Sequence, residues 1–314
     1  MFELKEEHEI SVIEMGMSGF GEIDYLASLV EPETAVFTNI GLSHIENLGS
    51  RENIMKAKFE MLNHLKKDGF VLMCGDDDML FSVSEELESE HKYYGIENKN
   101  CDYIAENIVQ DKFCTNFDIC FEEKRYNVTI PVLGEHNVKN ALCAFAVGMH
   151  YNIEPEKMIS ALAEFEPGPM RQNIIPSDGI TIINDCYNSS PSSVEAGLKT
   201  LRQISGKRKI AVLGDMLEMG EMSEALHRLC GKYVVDCKTD FLVCVGNNSR
   251  HIIEGAAAEG FLKDNTVFFE TNKEVNAFLD SFLEKGDVVL VKASRGMKLE
   301  EIVNHITDFE DNKE

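Results

Sequence analysis

Two residues near the start of the chain have types and positions that could bind a metal ion. Glu14 ends the apolar run "ISVIEMG", and His44 follows the run "TAVFTNIG" by a short loop. Since the carboxyl ends of parallel strands meet at one edge of a sheet, we expect both side chains to project from that edge. A carboxylate and an imidazole there could bind Mg²⁺, which usually keeps waters and substrate phosphates as its other ligands. Each residue alone could equally be structural.

A lysine lies on the apolar side of the helix predicted beside this edge. Ser50 is a candidate N-cap, and Ile54 and Met61 fall four residues before and three residues after Lys58, on one stripe. Lys56 points to the opposite side. Two interpretations of Lys58 remain open. Its side chain could extend along the stripe to water, or it could be held inside a site, neutralised or chemically modified, because an unpaired buried ammonium is costly.

A second group of polar residues follows the apolar runs of the second half, in "NDCYN", "GDM", "GNNSR" and "KASRG". Asp185 and Asn188 could form a strand-end cap and turn, or they could bind a ligand. Asn137 and Asn140 share one face of a predicted helix with small residues, which indicates either close helix packing or a binding surface. His227 lies within a helical pattern, and we expect it to be structural.

The elements that position these residues follow an α/β pattern. Short apolar runs alternate with helical patterns, which favours parallel sheets. The runs between about 100 and 134 are short and predict an antiparallel flap or edge. After "EPGPMRQ", the best candidate linker, the alternation restarts as a self-contained doubly wound domain. We therefore predict an α/β fold with two domains, residues 1–168 and 169–314.

Composition limits the class of protein. The formal net charge of −25 argues against a surface for nucleic acid or anionic membranes, which needs clustered Lys and Arg. Nine cysteines without a C-x-x-C pair indicate reduced, buried thiols rather than a disulfide framework or zinc site. No leader segment or apolar run of membrane-spanning length occurs, so we predict a cytoplasmic protein without membrane insertion.

Six ordered stretches carry a family resemblance: "EMGMSGFGEIDYL", "TNIGLSHIENLGSRENIMKAKFEM", "GEHNVKNALCAFAVG", "MRQNIIPSDGITIINDCYNSSPSSV", "VLGDMLEMGEMSEALHR" and "VKASRGMKLEEIV". They resemble the Mur ligases over nearly the whole chain. "DCYNSSPSSV" and "VLGDMLEMG" look like the branch that adds D-alanyl-D-alanine, although "SSPSSV" departs slightly from the commoner pattern of that branch. The D-N-P-R motif of the diaminopimelate- or lysine-adding branch is absent from the sequence.

The resemblance implies ATP-dependent amide formation in peptidoglycan precursor synthesis. The carboxylate of UDP-N-acetylmuramoyl-tripeptide would be phosphorylated, and the amine of D-alanyl-D-alanine would attack the acyl phosphate. The implied cofactors are ATP and Mg²⁺, and the implied form is a cytoplasmic monomer with a truncated P-loop-type central domain and a Rossmann-like C-terminal domain.

The resemblance also implies site residues. Glu14, His44 and Lys58 would be metal ligands, Lys58 as a carbamate, which turns the inward-pointing cation into an anion. The positions that match nucleotide-binding residues are Asn137, Asn140, Arg171, Asp185 and Asn188. Asn140 would lie against the adenine, and Arg171 would stabilise the migrating phosphoryl group. The positions that would face the carboxylate of the dipeptide are Lys292, Ser294 and Arg295.

Two features of the family are missing from the sequence. Mur ligases carry a domain for the UDP-sugar peptide and a G-x-x-x-x-G-K-[ST] phosphate loop, and neither is found in the 314 residues. We therefore expect a truncated ligase with little or no activity alone. Two alternatives remain open, namely another amide ligase of the superfamily (diaminopimelate-adding, lysine-adding or folylpolyglutamate type) and a non-catalytic remnant or binding module.

Overall fold

The computed structural model describes residues 4–84, 86–111 and 113–308, and these residues form two six-stranded sheets, one in each half of the chain. The predicted α/β fold with two sheet-based halves is confirmed. None of the helices in this described part is long and apolar enough to cross a membrane.

The N-terminal sheet has the order β1-β2-β3-β4-β5-β6. Strands β1 to β4 are parallel, and β4, β5 and β6 form the predicted antiparallel edge. The strands are β1 (Thr34–Phe37), β2 (Phe70–Cys74), β3 (Glu90–Gly95), β4 (Tyr103–Asp111), β5 (Cys114–Phe121) and β6 (Lys124–Ile130). The helices of this half are α1 (Glu22–Val30), α2 (Ile45–Leu48), α3 (Arg51–Phe59), α4 (Asp78–Ser82), α5 (Glu135–His150) and α6 (Pro155–Ala163).

The C-terminal sheet has the order β11-β10-β9-β12-β8-β7, and only β7 is antiparallel among its described strands. Its strands are β7 (Asn173–Ser177), β8 (Ile180–Asp185), β9 (Lys209–Gly214), β10 (Phe241–Val245), β11 (Thr266–Phe269) and β12 (Val288–Lys292). Its helices are α7 (Pro191–Gln203), α8 (Ser223–Asp236), α9 (Arg250–Ala258), α10 (Asn272–Phe282) and α11 (Glu300–Thr307).

The strands with continuous apolar sequence form the centre of each sheet. Every residue of β2 and of β12 is buried, as expected for parallel strands covered on both faces by helices. Polar caps fix several helix starts. Ser50 accepts a hydrogen bond from the backbone N–H of Asn53, as predicted, and Ser190 and Thr271 form capping boxes.

The prediction of a strand at "ISVIEMG" is wrong. Residues 10–16 form no strand, and β1 is the edge of the sheet. Val12 is 92% exposed, and Ile10 and Ile13 are also exposed. Alternating apolar residues indicate a preference for a pleated, half-buried surface, but a strand also needs a neighbour to pair with, and this segment does not pair with β1.

The connection between the halves has an unusual backbone. Met170 (φ 59°) and Gln172 (φ 55°) are both left-handed non-glycine residues, and Arg171 lies between them. The backbone N–H of Tyr187, just after β8, donates to the carbonyl of Met170 at 3.1 Å. Met170 is therefore bound to the C-terminal half.

Candidate active site

A cleft of about 960 Å³ lies between the two halves at the carboxyl ends of their strands. One wall is made by the loops after β1 and β2 and by the first turns of α5. The other is made by the connection, the β8–α7 loop and the end of β12. Of the predicted nucleotide and substrate residues, those that line it are Asn137, Asn140, Arg171, Asp185, Asn188 and Lys292.

Arg171 contributes an exposed cation to the cleft. Its guanidinium lies 4.0 Å from the centre of the Tyr187 ring, a cation–π contact that restricts the side chain. The backbone N–H of Arg171 also donates to Asn173. The guanidinium forms no ion pair among the described residues, so its charge is available to an anion.

Lys292 and Asp185 form a buried ion pair at the ends of β12 and β8. Lys292 is 1% exposed, and its Nζ lies 2.8 Å from Asp185 Oδ2. Nζ also donates to the carbonyl oxygen of Asn188 at 2.8 Å. The parallel pairing of β12 with β8 places the two residues in register, which explains their contact. The pair holds the β8–α7 loop at the cleft.

The opposite wall carries a second ion pair that sequence reasoning missed. Lys139 Nζ lies 2.9 Å from Asp76 Oδ2, and Asp76 also accepts backbone N–H groups from the loop after β3. Burial opposes both charges, but these hydrogen bonds outweigh it and lower the pKa of Asp76 and raise that of Lys139. The run "GDDD" after β2 was the available signal.

His136 is a further cleft residue that the motifs did not indicate. Burial lowers its pKa, and Lys292 across the cleft acts in the same direction, while Asp185 opposes it. The neighbouring Asn137 donates from its side chain to the carbonyl of Leu133, so it has a structural bond, whereas Asn140 is exposed. The first turns of α5 therefore present an imidazole of lowered pKa and an exposed amide to the cleft.

The three predicted metal ligands do not line this cleft. Glu14 is exposed and lies in the segment that forms no strand, so it does not project from a strand end as expected. His44 lies before α2 and its Nδ1 is 2.9 Å from Glu218 Oε2 of the C-terminal half. Hydrogen bonds from Ser18 chiefly lower the Glu22 pKa, with a smaller contribution from His44.

Lys58 is half-buried, and Lys56 on the same helix is exposed, as the helical periodicity predicted. Lys58 Nζ donates to the carbonyl of Asn39 at 2.7 Å. Burial lowers the pKa of Lys58, and the charge of Asp77 offsets this only in part. Lys58 therefore has a larger neutral fraction than a solvated lysine at the same pH.

Ser294 and Arg295 also lie outside the residues that line the cleft. Ser294 is buried, and its Oγ accepts the backbone N–H of Leu217 at 2.9 Å. Arg295 Nη1 lies 2.9 Å from Glu300 Oε1. His227, predicted to be structural, is fully buried and accepts the backbone N–H of Met216.

A cluster of two glutamates and one histidine lies outside the residues that line the cleft. Glu224, His251 and Glu254 have ligand atoms within 4.8 Å of one another, the only such group of His, Cys, Asp or Glu side chains in the part of the chain that the structure describes. Arg228 already forms ion pairs with both glutamates. Its guanidinium compensates the charge that would attract a cation.

Two α/β halves that face each other across a charged cleft, at the carboxyl ends of parallel strands, define a class of proteins that bind ligands between domains. Within this class the chain belongs to the Mur ligase family. Residues 1–148 match the Mur ligase middle domain, and residues 170–295 match the family described as Mur ligase, glutamate ligase domain.

Curated relatives show which branch the chain is similar to. It is 40% identical over 307 residues to the UDP-N-acetylmuramoyl-tripeptide–D-alanyl-D-alanine ligase of Bacillus subtilis (strain 168), covering 97% of this chain and 66% of that protein. It is 31% identical to the enzyme of the same name from Haemophilus influenzae, covering 98% of this chain and 66% of that protein. The chain thus spans about two thirds of the length of these relatives.

Solved structures agree on the fold. A crystal structure of MurF from Acinetobacter baumannii superposes with a TM-score of 0.89 at 28% identity, over 98% of this chain and 66% of that one. The structure of MurF ligase from Thermotoga maritima in complex with ADP superposes with a TM-score of 0.84 at 23% identity. The match covers 96% of this chain and 67% of that one. The second likeness shows the fold alone.

Proposed function

We propose that this chain forms the nucleotide- and acceptor-binding part of an ATP-dependent ligase that adds D-alanyl-D-alanine to UDP-N-acetylmuramoyl-tripeptide in peptidoglycan synthesis. The observation that carries the proposal is the interdomain cleft, whose two walls contribute Lys139 on one side and Arg171 and Lys292 on the other. A chain with a net charge of −25 attracts polyphosphate only where such cations are concentrated. The names of the relatives support the two substrates.

In this function Arg171 would bind and stabilise the phosphoryl group during its transfer. Arg171 is exposed, forms no ion pair among the described residues and contacts the Tyr187 ring, so its guanidinium can form two parallel hydrogen bonds with phosphate oxygens. Asn140 would lie against the adenine on the opposite wall, and Asn137 would belong to the same nucleotide site. Asp185 and Asn188 would complete the nucleotide site, with Asp185 also orienting Lys292.

We further propose that Lys292, Ser294 and Arg295 serve the acceptor dipeptide. They follow one another at the end of β12, and Lys292 reaches the cleft. The Arg295 guanidinium is about half exposed and would exchange its ion pair with Glu300 for the carboxylate of the dipeptide. Ser294 would hold the neighbouring loop through Leu217.

Glu14, His44 and Lys58 are the proposed ligands of Mg²⁺. The donor chemistry fits at two of them. His44 offers an imidazole nitrogen, and burial lowers the pKa of Lys58, which enlarges the fraction of the neutral amine that reacts with CO₂. Glu14 is exposed, so its carboxylate is accessible. A bound Mg²⁺ would neutralise phosphate charge during transfer.

We propose two domains, residues 1–168 and 169–314. The boundary between them lies just before the left-handed backbone at Met170. We propose a monomer located in the cytoplasm. Support for the location comes from the nine cysteines, which form no disulfide in the described structure although most of them are buried.

The test is product formation with different acceptors. The chain is incubated with ATP, Mg²⁺ and UDP-N-acetylmuramoyl-tripeptide, and the conjugate is detected by mass spectrometry after addition of D-alanyl-D-alanine, diaminopimelate, lysine or glutamate. We expect product only with D-alanyl-D-alanine, at a low rate because the 314 residues contain no phosphate loop. Arg171→Ala should abolish the product, whereas Arg202→Ala, an exposed arginine of α7, should not.

Other outcomes decide between the alternatives. Product with diaminopimelate, lysine or glutamate would assign the chain to another amide ligase of the superfamily. If no product forms with any acceptor and calorimetry detects binding of neither ATP nor D-alanyl-D-alanine, the ligase function is wrong for this chain.

A further inference from the structure

The imidazole of His136 is a polar group of the cleft that the protein leaves without a partner. His136 lies in the first turn of α5, is half-buried and lines the cleft. Neither ring nitrogen forms a hydrogen bond or an ion pair within the ranges that the structure describes. Polar groups that lose water on folding normally gain a hydrogen bond in exchange. The missing partner points to a ligand in the cleft.

The His136 ring is positioned by the absence of a side chain two residues earlier. A Cβ on Gly134 would lie 2.5 Å from His136 Cε1 and 2.7 Å from its Nδ1, so the ring occupies the space of that side chain. Gly134 has a φ of 95°, which glycine adopts without strain. Nε2 is farther from this position than Cε1 and Nδ1 are. It is therefore the nitrogen on the side away from the Gly134 backbone.

The surroundings of His136 favour an uncharged partner over a phosphate. Burial is the main cause that lowers the pKa of His136, and the charge of Lys292 across the cleft acts in the same direction. The Asp185 carboxylate opposes this shift but does not reverse it. At neutral pH His136 is thus poorly suited to supply positive charge to a polyphosphate, whereas Arg171 and Lys292 carry that charge. A hydroxyl group, which donates and accepts, matches the uncharged ring.

Helical spacing places His136 beside the residue proposed for the nucleobase. Asn140 follows four residues later, so both side chains lie on one face of α5, with about 5–6 Å between their Cβ atoms. On its other side, His136 faces the ion pair of Lys292 and Asp185. The unit that joins the base of a nucleotide to its phosphates is a ribose with two uncharged hydroxyl groups. His136 therefore lies where the ribose of a nucleotide spanning Asn140 and Lys292 would pass.

We propose that His136 binds a ribose hydroxyl of the nucleotide and makes the cleft select ribonucleotides over deoxyribonucleotides. This inference rests on the proposed function, which assigns the nucleobase to Asn140 and the phosphates to the cations of the cleft. A hydroxyl group and an imidazole nitrogen can each donate or accept, so the contact forms with either tautomer of the ring. A nucleotide without the hydroxyl would leave the half-buried imidazole unpaired, and this unpaired group is the source of the discrimination.

The test is the binding of ATP, 2′-deoxy-ATP and 3′-deoxy-ATP to the full chain, measured by calorimetry in the presence of Mg²⁺. We expect at least one deoxynucleotide to bind the wild type about 5- to 10-fold more weakly than ATP, the effect of one hydrogen bond. In His136→Phe, which keeps an aromatic ring without nitrogens, this ratio should fall to about one. His150→Phe is the matched control and should keep the ratio, since His150 is exposed at the far end of the same helix and stacks on Phe70.

A second variant tests the hydrogen bond itself. His136→Gln carries an amide that can also donate and accept, so it should keep part of the discrimination. A ratio in His136→Gln no larger than in His136→Phe would contradict the hydrogen bond.

The outcomes separate this proposal from the proposed function. If the wild type binds ATP and both deoxynucleotides equally, His136 does not read the ribose, although the nucleotide site stands. The same holds if His136→Phe keeps the wild-type ratio, whether or not it weakens binding of all three nucleotides, because a purely structural role changes their affinities together. If the wild type binds none of the three, the nucleotide site of the proposed function fails and this proposal fails with it.

Discussion

At the scale of single residues, burial determines the chemistry of several side chains in this protein. Lys58 and His227 both lose water on folding, and the pKa of each is lowered for that reason. His227 Nε2 accepts the Met216 N–H at 2.9 Å, and Nδ1 lies 2.7 Å from the Ser223 carbonyl, so the neutral ring satisfies both nitrogens. Protonation of His227 would break the first bond.

His227 makes the stability of the protein depend on pH. Below about pH 6.5 the unfolded histidine binds a proton that the folded one does not, so stability falls as pH decreases toward the lower folded pKa. The contribution is at most about 1.4 kcal/mol per pH unit. We expect His227→Gln, compared with the wild type by urea unfolding at several pH values, to have the shallower slope. Equal slopes would contradict this.

Lys58 should be the lysine that reacts with CO₂. A neutral amine adds CO₂ to form a carbamate and releases a proton. Burial lowers the pKa of Lys58, whereas Lys56 lies exposed on the same helix. We expect a carbamate signal in ¹³C NMR with labelled bicarbonate that Lys58→Arg loses and Lys56→Arg retains. If Lys56→Arg lost the signal and Lys58→Arg kept it, the carbamate would be on Lys56 and the prediction would be wrong.

At the scale of elements, α8 and α9 approach more closely than side chains would allow. A Cβ on Gly231 would lie 2.2 Å from the carbonyl oxygen of Ile252, and one on Gly255 would lie 2.1 Å from that of Arg228. The helices therefore cross through two glycines, each against the backbone of the other helix. Any side chain at either position must separate them.

Gly255→Ala should destabilise the protein although alanine favours helix by about 1 kcal/mol. The steric overlap with the Arg228 backbone cannot be relieved by a rotamer change, so we expect a net loss of about 1–3 kcal/mol in urea unfolding. Gly16→Ala is the control because nothing lies within 4 Å of its Cβ position, and it should change stability by less than about 0.5 kcal/mol. A neutral or stabilising Gly255→Ala would show that the helices can shift apart.

The elements also show what local pattern can predict. Apolar runs gave most of the strands, including β2 and β12, because burial on both faces requires such runs. The pattern missed β3, whose first residues are Glu90, His91 and Lys92, since pairing with β2 outweighs their polarity. It also missed the short antiparallel β7. It wrongly predicted a strand at "ISVIEMG", because this segment does not pair with β1, the edge strand of the sheet.

At the scale of the whole molecule, the site depends on contacts between distant parts of the chain. The motifs identified six residues that line the cleft, but they assigned no role to Lys139 or Asp76 and did not indicate the contact between His44 and Glu218. Such contacts join residues that are far apart in sequence, so helical and strand periodicities cannot reveal them. The packing of α5 against β2 brings Lys139 and Asp76 together, and the arrangement of the two halves brings His44 and Glu218 together.

Nucleotide binding should stabilise the whole molecule, because the proposed contacts come from both halves. At an ATP concentration of 100 times Kd, the expected stabilisation is about 2.7 kcal/mol, measured by thermal unfolding with and without ATP. We expect Arg171→Ala to reduce the shift and Arg202→Ala to retain it. If both variants keep the full shift, Arg171 does not contact the phosphates.

The anchoring of Met170 determines how the cleft can open. Tyr187 binds the Met170 backbone and stacks on Arg171, so this arginine moves as part of the C-terminal half although it lies in the connection. A hinge, if the halves rotate, must lie before Met170, in the Pro-Gly-Pro segment. Opening would then withdraw the Arg171 charge from the wall that holds Asn140 and Lys139. One rotation would change both the width of the cleft and the electric potential inside it.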